Sequence, residues 1–245
     1  MTTWAVSDVH GHLADLREQL TEAGLVDGDD WTGGDAVLWV LGDLVDRGPD
    51  GIGVVHFLRQ LQAQAPDEVR VLLGNHEALM LGQKLFPSEF TGVWGMNGGR
   101  REDQAGLSED DIAWLRSLPA MAHTGEHLLM HSDSAGYLGW GGSVEEINDT
   151  VSSVLAEGDG QQLFDLFATL TDRFHFVGSD GEAVAREMLE RLGGERIVHG
   201  HSIIGSLVNQ PSESVTEPIL YADGLVVAID GGRYDGGPLL LVRLD

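Results

Sequence analysis

Cysteine is absent from the 245 residues. That excludes disulfides, thiolate-held metals and a thiol nucleophile together, so any metal must be held by His, Asp, Glu or Asn. Cationic side chains are almost as scarce. Lys84 is the single lysine, 14 Lys+Arg stand against 40 Asp+Glu, and the formal charge is −26. A nucleic-acid backbone is held chiefly by Lys and Arg, so nucleic-acid binding is excluded. No stretch approaches the ~18 apolar residues of a membrane span. The opening Met1 to Asp8 has neither a basic region nor an apolar run suited to a signal peptide, so a cytoplasmic location without membrane contact is expected. No heptad stands out, and a monomer is expected.

What is present is an ordinary globular composition, 42% hydrophobic and 22% charged, which argues against disorder. The length suits one large α/β domain, and a single domain over 1–245 is expected. Short apolar runs recur, each closing on a polar cluster. They are Thr3 to Ser7 before Asp8, Ala36 to Leu41 before Gly42-Asp43, Val69 to Leu73 before Gly74-Asn75, Leu128 to Met130 before His131, and Ile197-Val198 before His199. Continuous runs of this length suit strands buried on both faces. Between them, Leu13, Leu16 and Leu20 repeat at helical spacing, as do Val54, Val55, Leu58 and Leu61, and Ile112, Leu115 and Leu118 after the acidic start at Ser108 to Asp111. Val144 to Leu155, Gln161 to Leu170 and Glu182 to Leu192 also read as amphipathic helices. Strands alternating with helices point to an α/β layered fold. Leu225 to Asp230 and Leu239 to Arg243 read as a strand pair across the glycine-rich Gly231 to Gly237. Asp27 to Asp35 lacks the ligand order of a calcium loop and reads as a surface connection.

The polar clusters fall after strands, where ligands bind in open α/β sheets. They are Asp8-Val9-His10, Gly42-Asp43-Leu44-Val45-Asp46-Arg47-Gly48, Gly74-Asn75-His76-Glu77, His131, and His199-Gly200-His201. Any one of them alone is more often structural than functional. Together, carboxylates, imidazoles and an amide oxygen suit divalent ions such as Mn²⁺, Zn²⁺ or Fe, and there are more groups than one tetrahedral ion needs. A two-metal site clamps the attacking and leaving oxygens of a phosphoryl displacement. Two divalent ions also outweigh two ligating carboxylates, which would leave this one region positive on a chain of charge −26.

In order and spacing, Asp8-x-His10-Gly11, Gly42-Asp43-x-x-Asp46-Arg47-Gly48, Gly74-Asn75-His76-Glu77, His131 and Gly200-His201 resemble the calcineurin-like metallophosphoesterases. The likeness is to the bacterial and phage phosphoprotein phosphatases in particular, and to the symmetrical diadenosine tetraphosphatases. It runs from residue 3 to about 206, and Trp94 to Gly99 also looks like bacterial members. The resemblance implies a four-layer αββα sandwich, two mixed sheets flanked by helices. It makes Asp8 and His10 ligands of one metal, Asp43 the bridge, and Asn75, His131 and His201 ligands of the other. The two divalent ions would be Mn foremost, with Fe or Zn as alternatives, and a hydroxide between them would attack phosphorus. His76 would protonate the leaving oxygen, oriented by Asp46, and Arg47 would grip phosphate oxygens. A second such arginine is expected, with Arg173 the best match and Arg100 and Arg101 competing for the role. The implied substrates are phosphorylated proteins, serine or threonine esters first, with dinucleoside polyphosphates or other nucleotides as the alternative. Specificity is expected to reside in insertions near 82–106 and 133–191.

Some positions depart from the family pattern or have no role in it. Ser132-Asp133 replaces the Gly-Gly of many relatives, and Asp133 is expected to influence substrate charge preference. His199 reads as a strand-end hydrogen-bonding residue and Glu77 as a helix cap. His12, His56, His123, His127 and His175 read as structural or exposed. Trp94, Trp140 and Tyr137 read as core packing, with base stacking the alternative.

Overall fold

A computed structural model describes residues 2–244. Its strands are β1 Thr3–Val6, β2 Val26–Asp27, β3 Asp30–Trp31, β4 Val37–Val40, β5 Val69–Val71, β6 Met121–Thr124, β7 His127–Met130, β8 Arg196–His199, β9 Ile219–Tyr221, β10 Val226–Ala228 and β11 Val242–Arg243. Its helices are α1 Leu13–Glu22, α2 Gly51–Gln64, α3 Asn75–Leu85, α4 Pro87–Met96, α5 Arg101–Gly106, α6 Glu109–Arg116, α7 Val144–Glu157, α8 Gly160–Thr171, α9 Gly181–Leu192 and α10 Ile204–Val208.

The strands form two mixed sheets, ordered β11-β1-β4-β5 and β6-β7-β8-β10-β9, with β2-β3 a separate hairpin. Alternation along each strand explains the layers, because successive side chains point to opposite faces. Ala5, Trp39 and Leu41 of the first sheet meet Leu129, Val198 and Ile229 of the second in one apolar cluster between them. The intervening Val6, Leu38, Val40, Leu128, Met130 and Ile197 belong instead to the large core shared with the helices, where they join Leu16, Leu20, Val54, Leu58, Leu61, Met188 and Leu192. Helices therefore cover the outer faces of both sheets, the expected four-layer sandwich. Among the described residues no helix is long and apolar enough to cross a membrane.

Every strand and helix expected from the apolar runs is present, with Leu118 falling just beyond the end of α6. Asp27 to Asp35 forms the β2-β3 hairpin, turned at Gly28 with φ 62°, as a surface connection should. One pairing differs. β10 does not pair with β11: it lies between β8 and β9 inside the second sheet, while β11 runs antiparallel to β1 at the edge of the first. Both sides of β10 are already taken, and the chain after it crosses to the edge beside β1. The glycine-rich segment makes that crossing, with Gly232 and Gly236 left-handed at φ 77° and 88°. β9 escapes the sequence reading because its three residues follow Pro218 and none is buried.

The start of α6 shows how an acidic turn is fixed. Ser108 Oγ accepts from the Asp111 amide at 3.2 Å, and Asp111 Oδ2 accepts from the Ser108 amide at 2.9 Å and its hydroxyl at 2.6 Å. Asp111 also binds His56 at 3.2 Å and pairs with Arg59, tying α6 to α2. Burial alone would raise the Asp111 carboxyl, but Ser108, His56 and Arg59 outweigh it and hold the group at about 2. A carboxyl lowered in the fold stabilises above its ordinary value near ~4, and that contribution disappears as pH falls through about 2. Urea unfolding of Asp111→Asn should therefore show a loss of about 1–2 kcal/mol at pH 7, shrinking toward zero between roughly pH 4 and 2. A pH-independent loss would show that the charge plays no part.

Candidate metal centre

The site is assembled from the carboxyl ends of five strands. Asp8 and His10 follow β1, Asp43, Asp46 and Arg47 follow β4, Asn75 and His76 open α3 after β5, His131 follows β7, and His201 follows β8. Backbone bonds stitch the first two loops together, from Asp8 N to Gly42 O at 3.2 Å, His10 N to Asp43 O at 2.8 Å and Gly11 N to Leu44 O at 2.8 Å. The turns are sharp. Asp8, His10, Asp43, Asp46, Arg47 and His201 all have left-handed backbone, with φ of 53°, 42°, 57°, 64°, 62° and 62°. Residues with a Cβ avoid this region unless their surroundings enforce it. Gly200 passes so near Ser7 and Asp8 that a Cβ there would overlap both side chains. Glu77 anchors the arrangement, its carboxylate accepting from the amides of Asp43 at 2.8 Å, Leu44 at 2.7 Å and Gly74 at 3.0 Å. Burial, then the charge of Asp43, raises this carboxyl to about 7.

Two groups of candidate donors share Asp43. The donor atoms of Asp8, Asp43, His131 and His201 lie within 4.8 Å of one another, as do those of His10, Asp43 and His76. Asp43 Oδ2 is 3.4 Å from His10 Nε2, and Asp43 Oδ1 is 3.4 Å from His131 Nε2. The outward ring nitrogens are engaged by carbonyls: His10 Nδ1 donates to Val45 at 3.0 Å, His131 Nδ1 to Leu41 at 2.8 Å and His201 Nε2 to Thr171 at 2.8 Å. Each ring therefore turns a lone pair inward, the tautomer a metal-binding histidine needs. His10 Nε2 is buried with no hydrogen-bond partner. Asn75 Oδ1 lies 2.9 Å from the inward His131 Nε2, acceptor against acceptor. Turning the amide over would offer N–H groups to His131, His201 and Asp43, whereas with oxygen inward the whole cluster consists of lone pairs, the arrangement a cation satisfies.

Electrostatics agree. Burial, followed by the charge of Asp8, raises the Asp43 carboxyl well above its ordinary range. Burial, then His76 and Arg47, lowers His10 well below the usual imidazole value, and burial, then His131 and Arg173, does the same to His201. Neutral imidazoles facing a carboxylate that resists ionisation alone are a donor set for divalent cations.

Beside this cluster His76 is fully buried, its Nδ1 3.0 Å from Asp46 Oδ2 and its Nε2 unpartnered. Arg47 lays its guanidinium 3.9 Å over the Tyr234 ring, which stands 5.1 Å edge-on to His10. Arg173 Nε reaches the Thr171 carbonyl at 3.4 Å, the same oxygen that His201 uses, and its charge lowers both His131 and His201. Arg100 brings its backbone amide to Asp46 at 3.0 Å while its side chain lies 3.7 Å from Glu102, and Arg101 is exposed.

One expectation resolves differently, and the others stand. Asp133 is wholly buried, accepting from Ser202 Oγ at 2.5 Å and from the Phe174 amide at 2.8 Å. It ties the Arg173 segment to the His201 loop, so it does not face a substrate. His199 binds the Gly200 carbonyl and Tyr221 Oη, both at 2.7 Å, as a strand-end residue. Tyr137 and Trp140 pack and bond to Ser132 and Thr169. Trp94 is buried as well, but its indole donates to Asp46 Oδ1 at 3.2 Å, a role the sequence reading missed. It also missed Asp230, buried with Oδ2 unpartnered and acted on by the charges of Asp8, Asp43 and Arg47. Its signal is the one used elsewhere, an apolar run closing on an Asp before glycine, but here the sequence reading takes it only as the end of a strand.

Two mixed sheets between helices, with buried carboxylates and imidazoles converging at the strand ends, define a metallophosphoesterase scaffold. The chain belongs to the calcineurin-like phosphoesterase family, whose model matches residues 1–205. It is 32% identical over 147 residues to a symmetrical bis(5'-nucleosyl)-tetraphosphatase of Aromatoleum aromaticum, covering 57% of this chain and 46% of that one. It is 37% identical over 79 residues to Shewanella-like protein phosphatase 2 of Arabidopsis thaliana, covering 31% of this chain and 20% of that one. The matches thus span less than half the length of these curated relatives. A solved cold-active protein-tyrosine phosphatase of a psychrophilic Shewanella superposes with a TM-score of 0.77 at 23% identity, covering 100% of this chain and 75% of that one, and shows the same fold.

The Glu77 anchor generates a prediction. Glu77→Ala would leave three buried amides without acceptors, each costing ~1–3 kcal/mol, and urea unfolding should show a loss of at least about 3 kcal/mol. A loss under about 1 kcal/mol would mean that the amides find other partners.

Proposed function

We propose that the protein is a binuclear-metal-dependent phosphomonoesterase, acting first on phosphoserine or phosphothreonine in proteins. The observation that carries this reading is the convergence of inward-facing lone pairs on Asp43, with a histidine-carboxylate pair and an arginine beside it. Asp8, His10 and Asp43 would hold one divalent ion, and Asp43, Asn75, His131 and His201 the other, with Mn²⁺ the first candidate. When bound, such ions supply positive charge against the phosphoryl oxygens and acidify water to a nucleophile at neutral pH.

The remaining groups act on the substrate directly. Arg47 grips non-bridging phosphate oxygens, its planar fork making two charge-assisted bonds, and Arg173 approaches from the His201 side. His76 donates a proton to the leaving oxygen while Asp46 holds its Nδ1–H. Burial opposes charge on both partners, lifting Asp46 to about 7 and, with Arg47, keeping His76 well below the ordinary imidazole value. A phosphate dianion beside the ring works the other way and favours the imidazolium, so the acid forms where and when it is needed. The segments 82–106 and 133–191 of a single domain set specificity, contributing Trp94 and Arg173 to the edges of the site.

Hydrolysis of a dinucleoside polyphosphate is the second reading, supported by the similarity to symmetrical tetraphosphatases. The burial of Trp94 and Tyr137 favours the first, because neither ring is free to stack on a base, and the half-buried Trp140 is tied to Thr169 through its indole N–H. The two separate when metal-stripped protein, resupplied with Mn²⁺, is assayed side by side on a phosphothreonine peptide and on diadenosine tetraphosphate. Peptide turnover alone is expected, and dinucleotide turnover alone would transfer the assignment to the second reading. Asp8→Asn and His76→Asn should each lower turnover by at least ~100-fold with an unchanged circular-dichroism spectrum. Near-normal activity in either variant would refute the role of that residue.

A further inference from the structure

Asp46 is held from three directions by a segment outside its own motif. Its Oδ1 accepts the Trp94 indole N–H at 3.2 Å and the Arg100 backbone N–H at 3.0 Å, leaving Oδ2 for His76 Nδ1 at 3.0 Å. Its backbone amide donates to Asp103 Oδ2 at 3.0 Å, and the next amide, of Arg47, donates to the Gly98 carbonyl at 3.0 Å. Asp46 is completely buried in left-handed backbone, so its own chain gives it little support. A buried indole N–H must find an acceptor, and a carbonyl would have satisfied it. In this fold the acceptor is the carboxylate that orients a histidine.

We propose that Trp94 is a positioning residue for proton delivery, fixing the plane of the Asp46 carboxylate so that Oδ2 meets His76 Nδ1. Two donors on Oδ1 prevent the carboxylate from tilting away, and the second of them is a backbone amide that side-chain substitution leaves in place. Trp94 is thus the one donor to the Asp46 carboxylate from this segment that a side-chain substitution can remove. This inference rests on His76 being the acid of the proposed reaction.

Leaving-group dependence tests it. An alkyl phosphate such as a phosphothreonine peptide needs a proton on its departing oxygen, whereas p-nitrophenyl phosphate departs as a stable anion. Trp94→Phe keeps a ring in the core while removing the donor and part of the indole's bulk. It should lower kcat on the peptide by roughly 10- to 100-fold, the cost of a misplaced group, while KM and p-nitrophenyl phosphate turnover change little. Gly99→Ala is a second route, because a Cβ there would overlap the Trp94 indole and displace it without removing it; it should give the same signature. Proton NMR reads the geometry without turnover: the far-downfield His76 Nδ1–H resonance, absent in Asp46→Asn, should shift or broaden in both variants.

Equal losses on the two substrates with an unmoved resonance in the folded variants would overturn the proposal and leave Trp94 a packing residue. If His76→Asn itself loses both substrates equally, the acid assignment fails. The resonance then still decides whether Trp94 positions the pair, a shift supporting it and an unchanged signal overturning it.

Discussion

Everything in this molecule is arranged around groups that repel one another. Asp8 and Asp43, both about 2% exposed or less, share a pocket with inward lone pairs from His10, His131 and His201. Carboxylates this deep cost several kcal/mol each unless a countercharge meets them, and the rise in the Asp43 carboxyl records that cost. The charge of Arg47, stacked on Tyr234, acts to lower the Asp43 carboxyl but is outweighed by burial and the charge of Asp8. Divalent cations remove the conflict, and because the unfolded chain has no such site, their binding energy becomes folding energy.

The scaffold must hold that arrangement against a second cost. Six site residues take up left-handed backbone, each opposed by ~1–2 kcal/mol. Strands buried on both faces supply the rigidity, since Ala5, Trp39 and Leu41 are packed between the sheets while their neighbours face the helices. Glu77 then converts the loose ends of two loops into a fixed frame by accepting three amides. A carboxylate with a single bond would be a destabilising buried charge; with three amides it becomes the joint between the β4 and β5 turns.

The sequence made the parts of this design legible where a residue type was unusual for its place. Apolar runs ending in Asp, His and Asn are rare enough in combination to reveal both the strands and the donors, and all of the expected donor residues come together. Helices α4 and α5 were illegible because Pro87 to Gly106 mixes glycine and charge without a clear period. Trp94 illustrates the difficulty. A tryptophan there reads as packing, and it does pack, but its N–H serves Asp46. One atom of a large side chain leaves no trace in a pattern of apolar positions. Asp133 shows the reverse, a charged residue beside a ligand whose position implies contact with substrate but whose carboxylate is engaged by Ser202 and Phe174.

The pairing of the last strands is where local reading and topology diverge, and the divergence matters to the site. A hairpin from β10 to β11 would have kept the glycine-rich segment at the periphery. Because β11 must reach β1 across the sandwich, that segment is drawn over the ends of both sheets. There it places Asp230 among the charges of Asp8, Asp43 and Arg47, and Tyr234 against Arg47 and His10. Both residues lie beyond residue 205, where the family match ends. The donors and Arg47 lie inside the matched segment, whereas the ring that packs against Arg47 and His10 comes from the crossover that follows it.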